Sequence, residues 1–297
     1  MPLSPGSRVL FVINPISGGQ PKASLEQIIK EHCSGKYIIT ELFTLSGKDD
    51  DSSLQYWIKD WKPDMVVAVG GDGTLKLVAT ALAGTNILTG LIPAGSANGM
   101  ARELGFPATP EACLEILWNG DDKTIDLIEI NDHLSIHLSD IGMNAQLIKY
   151  FEDSDHRGKW GYMREAWRVV ANKSQLKATL TLDGKTIQRN ALMIVIANAS
   201  KYGTGAVINP EGDISDGRFE VIVMKRLSLW EILKMLCNVS RFDKRKTEIL
   251  QAKELTIKLK KPAHFQVDGE YLNKTAELHA VIKPGSLRMV LPVNDAA

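Results

Sequence analysis

Residues 66–75 read VVAVGGDGTL, a continuous apolar run that ends in three glycines and one carboxylate. Such a run, closed by glycines, is typical of a parallel strand that is covered on both faces. The residues Leu75–Leu82 have helical spacing, so the stretch predicts a strand, a tight loop and a helix. Glycines let the backbone approach a ligand closely, and the helix start offers N–H groups to a phosphate. The loop Gly70–Thr74 therefore predicts a phosphate site, although a plain strand-to-helix turn has the same pattern.

The same pattern of strand, polar loop and helix occurs twice more in the first third of the chain. Residues 8–13 (RVLFVI) end at Asn14, and Ile87–Ile92 is followed by a loop that contains Ser96. Ser96 is expected to cap the next helix or to donate to a phosphate oxygen. Because loops at the carboxyl ends of parallel strands meet at one edge of a sheet, Asn14, Gly70–Thr74 and Ser96 are expected to be neighbours. These units predict an N-terminal α/β nucleotide-binding domain with a parallel sheet.

Near residue 125 the pattern changes to short apolar strands separated by turn residues. This is typical of an antiparallel β-sandwich or barrel, and Asp183-Gly184 predicts a hairpin turn within it. Helical segments are expected at about 159–172 and 228–238. The domain boundaries predicted from this change are 1–127 and 128–297.

Composition excludes several classes of protein. The 297 residues carry 35 Lys and Arg against 35 Asp and Glu, and this balance argues against a strongly basic nucleic-acid-binding protein. No apolar run approaches the roughly 20 residues that span a bilayer, and no signal peptide is visible. Three cysteines, far apart, argue against a disulfide scaffold and predict a reducing, cytoplasmic environment. Residues 1–128 contain 10 basic and 15 acidic side chains, which leaves 25 and 20 for the remainder. A basic second half favours an anionic membrane surface, but scatter of surface charge explains it equally simply.

Two further carboxylate clusters lie in the second half of the chain. Asp213 and Asp216 belong to an oxygen-rich turn before a strand, which suits a hard cation such as Mg²⁺ or an ordinary Asx turn. Glu270 follows a turn at the end of another strand. A carboxylate there acts as a general base if it reaches a substrate hydroxyl, and is otherwise a solvated loop residue.

At these residues the chain resembles the diacylglycerol kinase catalytic-domain family, which includes bacterial lipid kinases and sphingosine and ceramide kinases. The resemblance covers essentially the whole chain, in the expected order. Its motifs are FVINPISGG (11–19), VGGDGTL (69–75), IPAGSANGMARELG (92–105), TIDL (124–127), IANASKYGTG (196–205), NPEGDISDGRFEV (209–221), VDGEYL (267–272) and IKPGSLRMVLP (282–292).

The resemblance implies an ATP- and Mg²⁺-dependent lipid kinase with an N-terminal α/β domain, a C-terminal β-sandwich and an active site in the cleft. Glu270 is the implied general base and Asp72 a second essential carboxylate near the catalytic metal. The implied Mg²⁺ ligands are Asp213, Asp216 and the backbone of Arg218. Residues after about 285 are expected to return to the first domain. The implied nucleotide contacts are Asn14, Thr44, Gly70, Gly71, Asp72, Gly73, Thr74 and Ser96.

The implied partner is a lipid substrate at a membrane surface, which the protein contacts peripherally at the inner face. The oligomeric state stays open, and a homodimer is one of the alternatives. The chain departs from the bacterial pattern at Lys76-Leu77, where Asn-Glu is usual, and at Gly99, where Asp is usual. Both changes remove acidic groups, and residues 93–96 (PAGS) are closer to the sphingosine and ceramide kinase branch. Two alternatives remain, a NAD kinase-like enzyme with a soluble substrate and a catalytically weak sensor of nucleotide or lipid.

Overall fold

A computed structural model of the chain divides it into two units. The first comprises Met1–Ile125, Gly203–Gly205 and Gly285–Ala297, and the second comprises Asp126–Tyr202 and Ala206–Pro284. The structure describes residues 3–17, 22–143, 145, 175–198, 201–202, 206–207, 212–225 and 246–293. The helical segments expected at about 159–172 and 228–238 lie outside these residues.

The first unit alternates strands and helices along the chain. Its elements are β1 (Arg8–Ile13), α1 (Lys22–Ser34), β2 (Ile39–Thr44), α2 (Asp50–Trp61), β3 (Met65–Gly70), α3 (Asp72–Leu82), β4 (Leu88–Pro93), α4 (Gly99–Glu103), α5 (Pro110–Asn119) and the first half of β5 (Asp121–Ile130).

Strands β1 to β4 form a parallel sheet in the order β2-β1-β3-β4, which confirms the predicted α/β domain. Met289 in the last strand, β16 (Glu270–Leu291), pairs parallel with Thr89 of β4. Every residue of β3 is buried, as its continuous apolar sequence predicts for a strand covered on both faces. The carboxyl ends of β1, β3 and β4 consequently bring their polar loops to one edge of the sheet.

The second unit is made of antiparallel strands. They are the second half of β5, β6 (His133–Ser135), β7 (Leu138–Gly142), β8 (Leu176–Leu182), β9 (Lys185–Ala191), β10 (Met193–Ala197), β11 (Lys201–Tyr202), β12 (Ala206–Val207), β13 (Phe219–Met224), β14 (Thr247–Ala252), β15 (Glu254–Val267) and the first part of β16.

These strands form the predicted antiparallel sandwich. One layer runs β14-β13-β10-β7-β15, and β15 also pairs with β8, which pairs with β9. The hairpin predicted at Asp183-Gly184 is confirmed, because Leu182 pairs with Lys185 and both turn residues have positive φ. The apolar faces enclose a core in which Phe219, Leu255 and Leu278 are fully buried.

Strand β15 is much longer than its sequence predicts. Residues 255–259 and 263–267 read as separate strands, but they belong to the continuous strand β15. Pro262 interrupts the pattern without ending the strand, because a bulge accommodates it: Lys258 pairs with Glu277, whereas Ala263 pairs with Thr275. Through this bulge β15 pairs with β7 near its end and with β8 near its start.

Within the described ranges, no helix has the length and apolarity needed to cross a membrane. The thiols of Cys33 and Cys113 are free and buried in the first unit. Burial raises the pKa of Cys33 to about 11 and that of Cys113 to about 12, so both stay protonated and unreactive at neutral pH.

Candidate functional site

The loop after β3 forms the start of helix α3. Gly70 is the last residue of the strand, and Gly71 is the N-cap, whose carbonyl accepts hydrogen bonds from the N–H groups of Thr74 (3.0 Å) and Leu75 (3.1 Å). In the part of the chain that the structure describes, the N–H groups of Asp72 and Gly73 have no partner. Two free N–H groups at the positive end of an eleven-residue helix are suited to bind phosphate oxygens.

The loops after β3 and β4 pack backbone against backbone. A Cβ atom placed on Gly95 would lie 2.5 Å from the Cα of Gly71, which is closer than real Cβ contacts allow. The Asn98 side chain fixes Gly95 from both sides, since its Oδ1 accepts from Gly95 N (2.9 Å) and its Nδ2 donates to Gly95 O (2.8 Å). The N–H of Ala94 also donates to the carbonyl of Gly70 (2.8 Å). The two glycine loops therefore behave as one rigid element.

The Asp72 carboxylate caps helix α4. Its Oδ2 accepts from Gly99 N and its Oδ1 from Met100 N, each at 2.9 Å. The expectation that Ser96 caps this helix is wrong, because Asn98 occupies the N-cap position and Asp72 satisfies the first N–H groups. Ser96 is exposed instead. Asp72 thus holds the second loop in place by charge-assisted hydrogen bonds.

Asn14 connects the loop after β1 to the loop after β3. Its backbone N–H donates to the carbonyl of Val69 (3.0 Å), and its Nδ2 donates to Oγ1 of the buried Thr74 (3.3 Å). Asn14 Oδ1 accepts from Ile16 N (3.0 Å), so the amide orientation is fixed by a donor and an acceptor. The predicted contact between these loops is present.

A cavity of about 230 Å³ opens beside these loops in the first unit. It brings together Asn14, Gly73 and Thr74 of the predicted residues. Gly70, Gly71 and Asp72 lie on the loop beside it rather than in its lining. Thr44, which ends β2, is exposed, and neither Thr44 nor Ser96 is among the described lining residues. The full described lining is Asn14, Leu45, Gly47, Asp49, Asp50, Asp51, Gly73, Thr74 and Leu77.

The acidic side of this cavity was not predicted. Asp50 organises the loop after β2, accepting from Ser46 N (2.9 Å), Ser46 Oγ (2.9 Å) and Gly47 N (2.8 Å). Burial raises the pKa of Asp50, but these hydrogen bonds outweigh it and leave the pKa below its usual range. Asp50 begins α2, after the loop that follows Thr44 at the end of β2. Because ligands bind beyond the carboxyl ends of parallel strands, the carboxylates after β2 could have been predicted to line the site.

The acidic turn of the second unit contains two Asx turns. Asp213 Oδ1 accepts from Ser215 N (2.9 Å) and Ser215 Oγ (2.7 Å), and Asp216 Oδ1 accepts from Arg218 N (2.9 Å). Both carboxylates are exposed. Among the described residues, no three His, Cys, Asp or Glu side chains form a metal cluster. Two carboxylates and the Arg218 carbonyl are nevertheless oxygen donors of the kind that Mg²⁺ takes together with water.

Asp126 anchors this turn. Its backbone N–H donates to the carbonyl of Ile214 (2.7 Å), and its Oδ2 accepts from Gly217 N (2.7 Å). Asn198 Nδ2 in turn donates to the Asp126 carbonyl (2.6 Å). The acidic turn is therefore held at two points by one buried carboxylate residue.

Glu270 begins strand β16 and is exposed. It pairs with Val267 across the turn formed by Asp268 and Gly269, both of which have positive φ. The Asp268 carboxylate accepts four hydrogen bonds of 2.9–3.0 Å from the segment 135–138. This turn is consequently fixed to the neighbouring strands, and Glu270 projects from a rigid support.

A buried chain of hydrogen bonds adds to that support. Gln266 Nε2 donates to Oδ2 of the buried Asp140 (2.5 Å), and Gln266 Oε1 accepts from Gly269 N (2.7 Å). Sequence reasoning missed Asp140 and did not assign a role to Gln266, because the contact joins residues 126 positions apart in the chain.

Comparison with known proteins agrees with this architecture. Residues 8–130 match the diacylglycerol kinase catalytic domain, and residues 139–291 match the YegS C-terminal NAD kinase beta sandwich-like domain. A diacylglycerol kinase from Mycobacterium tuberculosis is 30% identical over 244 residues, which cover 77% of each chain.

Solved structures share the fold at lower identity. A diacylglycerol kinase from Bacillus anthracis str. Sterne superposes with a TM-score of 0.75 at 18% identity, covering 97% of both chains. An NAD kinase from Archaeoglobus fulgidus, solved in complex with ATP, superposes with a TM-score of 0.56 at 15% identity, covering 96% of this chain and 94% of that one.

Proposed function

The chain belongs to the diacylglycerol kinase catalytic-domain family, and from this premise we propose that it transfers the γ-phosphoryl group of ATP to the hydroxyl of a lipid. The observation that carries the proposal is the pair of glycine loops in the first unit. They place two free N–H groups of α3 beside a cavity that also contains Asn14 and Thr74. Positioning and electrostatic stabilisation of phosphate oxygens are most of what phosphoryl transfer requires from a protein.

The proposed reaction forms a bond between the lipid oxygen and the γ-phosphorus and breaks the bond from that phosphorus to the β,γ-bridging oxygen. ADP leaves with the electron pair, and the hydroxyl proton passes to the Glu270 carboxylate. The N–H groups of Asp72 and Gly73 stabilise the charge on the transferred phosphate. Asp72 contributes by holding the two glycine loops together. We propose that it also lies near the catalytic magnesium ion.

Magnesium, when bound, would neutralise phosphate charge and fix the geometry of the nucleotide. We propose a separate magnesium site in the second unit, with Asp213, Asp216 and the Arg218 carbonyl as its ligands, since they offer hard oxygen donors on a turn that Asp126 holds by hydrogen bonds. Asn14, Thr44 and Ser96 are proposed as further nucleotide contacts. The proposed setting is peripheral contact with an anionic membrane surface from the cytoplasm.

The function is tested with purified protein, γ-labelled ATP and Mg²⁺ in mixed micelles of a total lipid extract, followed by organic extraction. We expect label in one lipid species. A parallel reaction with NAD as the acceptor tests the alternative that the Archaeoglobus fulgidus fold relative suggests. Label in NAD and in no lipid would replace the proposal with a NAD kinase activity, and label in neither acceptor would refute phosphotransfer to both classes.

Substitution of Gly73 by alanine is expected to weaken ATP binding without destabilising the protein. A Cβ atom at this position would have nothing within 4 Å, so the glycine is not required by the fold. Alanine is the better helix former by about 0.5–1 kcal/mol, whereas its methyl group would occupy space that the phosphates need. We expect an unchanged or raised melting temperature and an ATP Kd about tenfold higher, equivalent to about 1.4 kcal/mol.

Gly35→Ala is the matched control, because a Cβ there contacts only backbone at 3.8 Å, away from the cavity. It should leave the Kd for ATP unchanged in a titration followed by fluorescence or calorimetry. Equal affinity of the Gly73→Ala protein and the wild type would mean that the phosphates do not lie against this helix start.

Magnesium is expected to raise the melting temperature through the acidic turn of the second unit. At about 100 times its Kd a ligand adds about 2.7 kcal/mol, or about 5–11 °C for a domain of this size. Asp216→Ala should abolish this rise, whereas Asp132→Ala, which removes an exposed carboxylate elsewhere in the unit, should retain it. The same magnesium response in Asp216→Ala and wild type would show that the turn holds no metal.

A further inference from the structure

A second cavity, of about 500 Å³, lies wholly within the second unit. Its described lining includes four lysines and one histidine, namely Lys177, Lys260, Lys261, Lys274 and His264. No acidic residue is among the described lining residues. We call this cavity the lysine pocket.

The bulge in β15 builds the lysine pocket. The four residues 259–262 of β15 face the single residue 276 of β16, so the extra residues leave this ladder and place Lys260 and Lys261 in the pocket lining. Lys274 lies opposite His264 across the two strands. Lys177 belongs to β8, beside Ala178, which pairs with Leu259. The clustering of these cations is therefore a property of the strand register and not of flexible side chains alone.

The lysines of the pocket have no counter-ion among the residues that the structure describes. Within the described part of the chain none of the four makes an ion pair. Other lysines of the same unit are paired, as Lys258 is with Glu277 (3.1 Å) and Lys225 with Glu248 (2.6 Å). Four like charges around one cavity repel each other, and a bound anion would offset this repulsion.

Part of the pocket lining is apolar. Leu176, Leu192 and Ala263 line it together with Pro262. The His264 ring is fixed by a hydrogen bond of 2.9 Å between its Nδ1 and the Tyr271 hydroxyl. A lining that combines exposed lysines with apolar side chains matches an amphiphile whose phosphate is attached to an apolar body, and it matches a fully hydrated inorganic anion less well.

We propose that the lysine pocket binds the phosphate of an anionic phospholipid head group. This proposal rests on the proposed lipid kinase function. Lys274 is four residues from Glu270, the proposed general base, on β16, which is about 13 Å along the strand. A lipid held in the pocket would fix this hairpin, and with it the proposed general base, at the membrane surface.

The test compares binding of the intact protein to vesicles of phosphatidylcholine alone and to vesicles in which about a third of the lipid is phosphatidylglycerol. The variant Lys260→Gln/Lys274→Gln should bind the anionic vesicles about 25-fold more weakly than wild type, at about fivefold per lysine removed. The control Lys253→Gln/Lys258→Gln removes the same charge from exposed positions outside the pocket and should lose little affinity. Wild type should not bind the vesicles of phosphatidylcholine alone.

A second arm separates a membrane lipid from a soluble phosphate ester. Glycerol 3-phosphate is titrated into wild type and the Lys260→Gln/Lys274→Gln variant while the melting temperature is followed. If glycerol 3-phosphate stabilises wild type but not the variant, and both proteins bind the vesicles equally, the ligand of the pocket is a soluble phosphate ester and not a membrane lipid. Equal behaviour of pocket and control variants in both arms would overturn the site itself.

Turnover of a water-dispersed short-chain lipid is measured with the same proteins, so that the two proposals fail separately. If turnover is normal and vesicle binding does not depend on the pocket, the lipid-binding role of the pocket is refuted and the proposed kinase activity stands. Pocket-dependent vesicle binding without turnover of any lipid supports the anion site and refutes the kinase.

Discussion

Replacement of Asp72 by asparagine is expected to lower kcat by about 100-fold to 1000-fold, the size of loss seen when a preorganised electrostatic group is removed. The two carboxylate oxygens accept from Gly99 N and Met100 N. Asparagine offers one acceptor and turns its NH₂ group toward the second N–H, so one hydrogen bond is lost and two donors face each other. The loop after β4 should then separate from the loop after β3.

The same substitution should also destabilise the first unit, since a hydrogen bond to a charged group contributes about 1.5–3 kcal/mol. Asp64→Asn is the matched control: Asp64 Oδ2 accepts from Arg8 N (2.8 Å) in the same unit, far along the strands from the glycine loops. It should lower the melting temperature and leave kcat unchanged. Turnover by folded Asp72→Asn within a few-fold of wild type would show that the loops need no carboxylate to hold them.

Local features of the chain were predictable where the sequence itself contains the cause. Largely apolar runs closed by turn residues predicted the parallel strands β1, β3 and β4, and Asp183-Gly184 predicted a hairpin, because these depend on neighbouring residues only. The strand length of β15 was not predictable in the same way. Its bulge at residues 259–262 lets a proline lie inside a continuous strand, and the compensation comes from pairing with β16.

Contacts across the chain explain what sequence reasoning missed at the candidate site. Asp72 was recognised as important, but its partners lie 27 and 28 residues away, in a loop whose position depends on the order of β3 and β4 in the sheet. The hydrogen bonds by which Asp268 supports the turn before Glu270 span 130 to 133 residues. A motif predicts which residues matter, whereas the strand order decides which backbone groups their side chains meet.

Glu270→Gln is expected to reduce kcat by about 100-fold to 10,000-fold, the range that general acid–base catalysis contributes. Glutamine keeps the shape of glutamate but cannot take up the hydroxyl proton. The side chain is exposed, and the turn before it is held by Asp268 and Gln266, so the melting temperature should not change. The Kd for ATP should also stay the same, because the residues proposed to bind the nucleotide belong to the first unit.

Glu277→Gln is the control for Glu270→Gln, since Glu277 lies on the same strand and is exposed. Among the ion pairs of the described residues, Glu277 pairs only with the surface Lys258 (3.1 Å). It makes the same change of charge and should leave kcat within about twofold, as expected for an exposed ion pair worth under 1 kcal/mol. Single-turnover measurements with both variants separate chemistry from product release. If Glu270→Gln transfers phosphate as fast as Glu277→Gln, the proton leaves by another route and Glu270 is not the base. If only Glu270→Gln is slow, and ATP binding and stability are unchanged, the loss lies in the proton transfer itself.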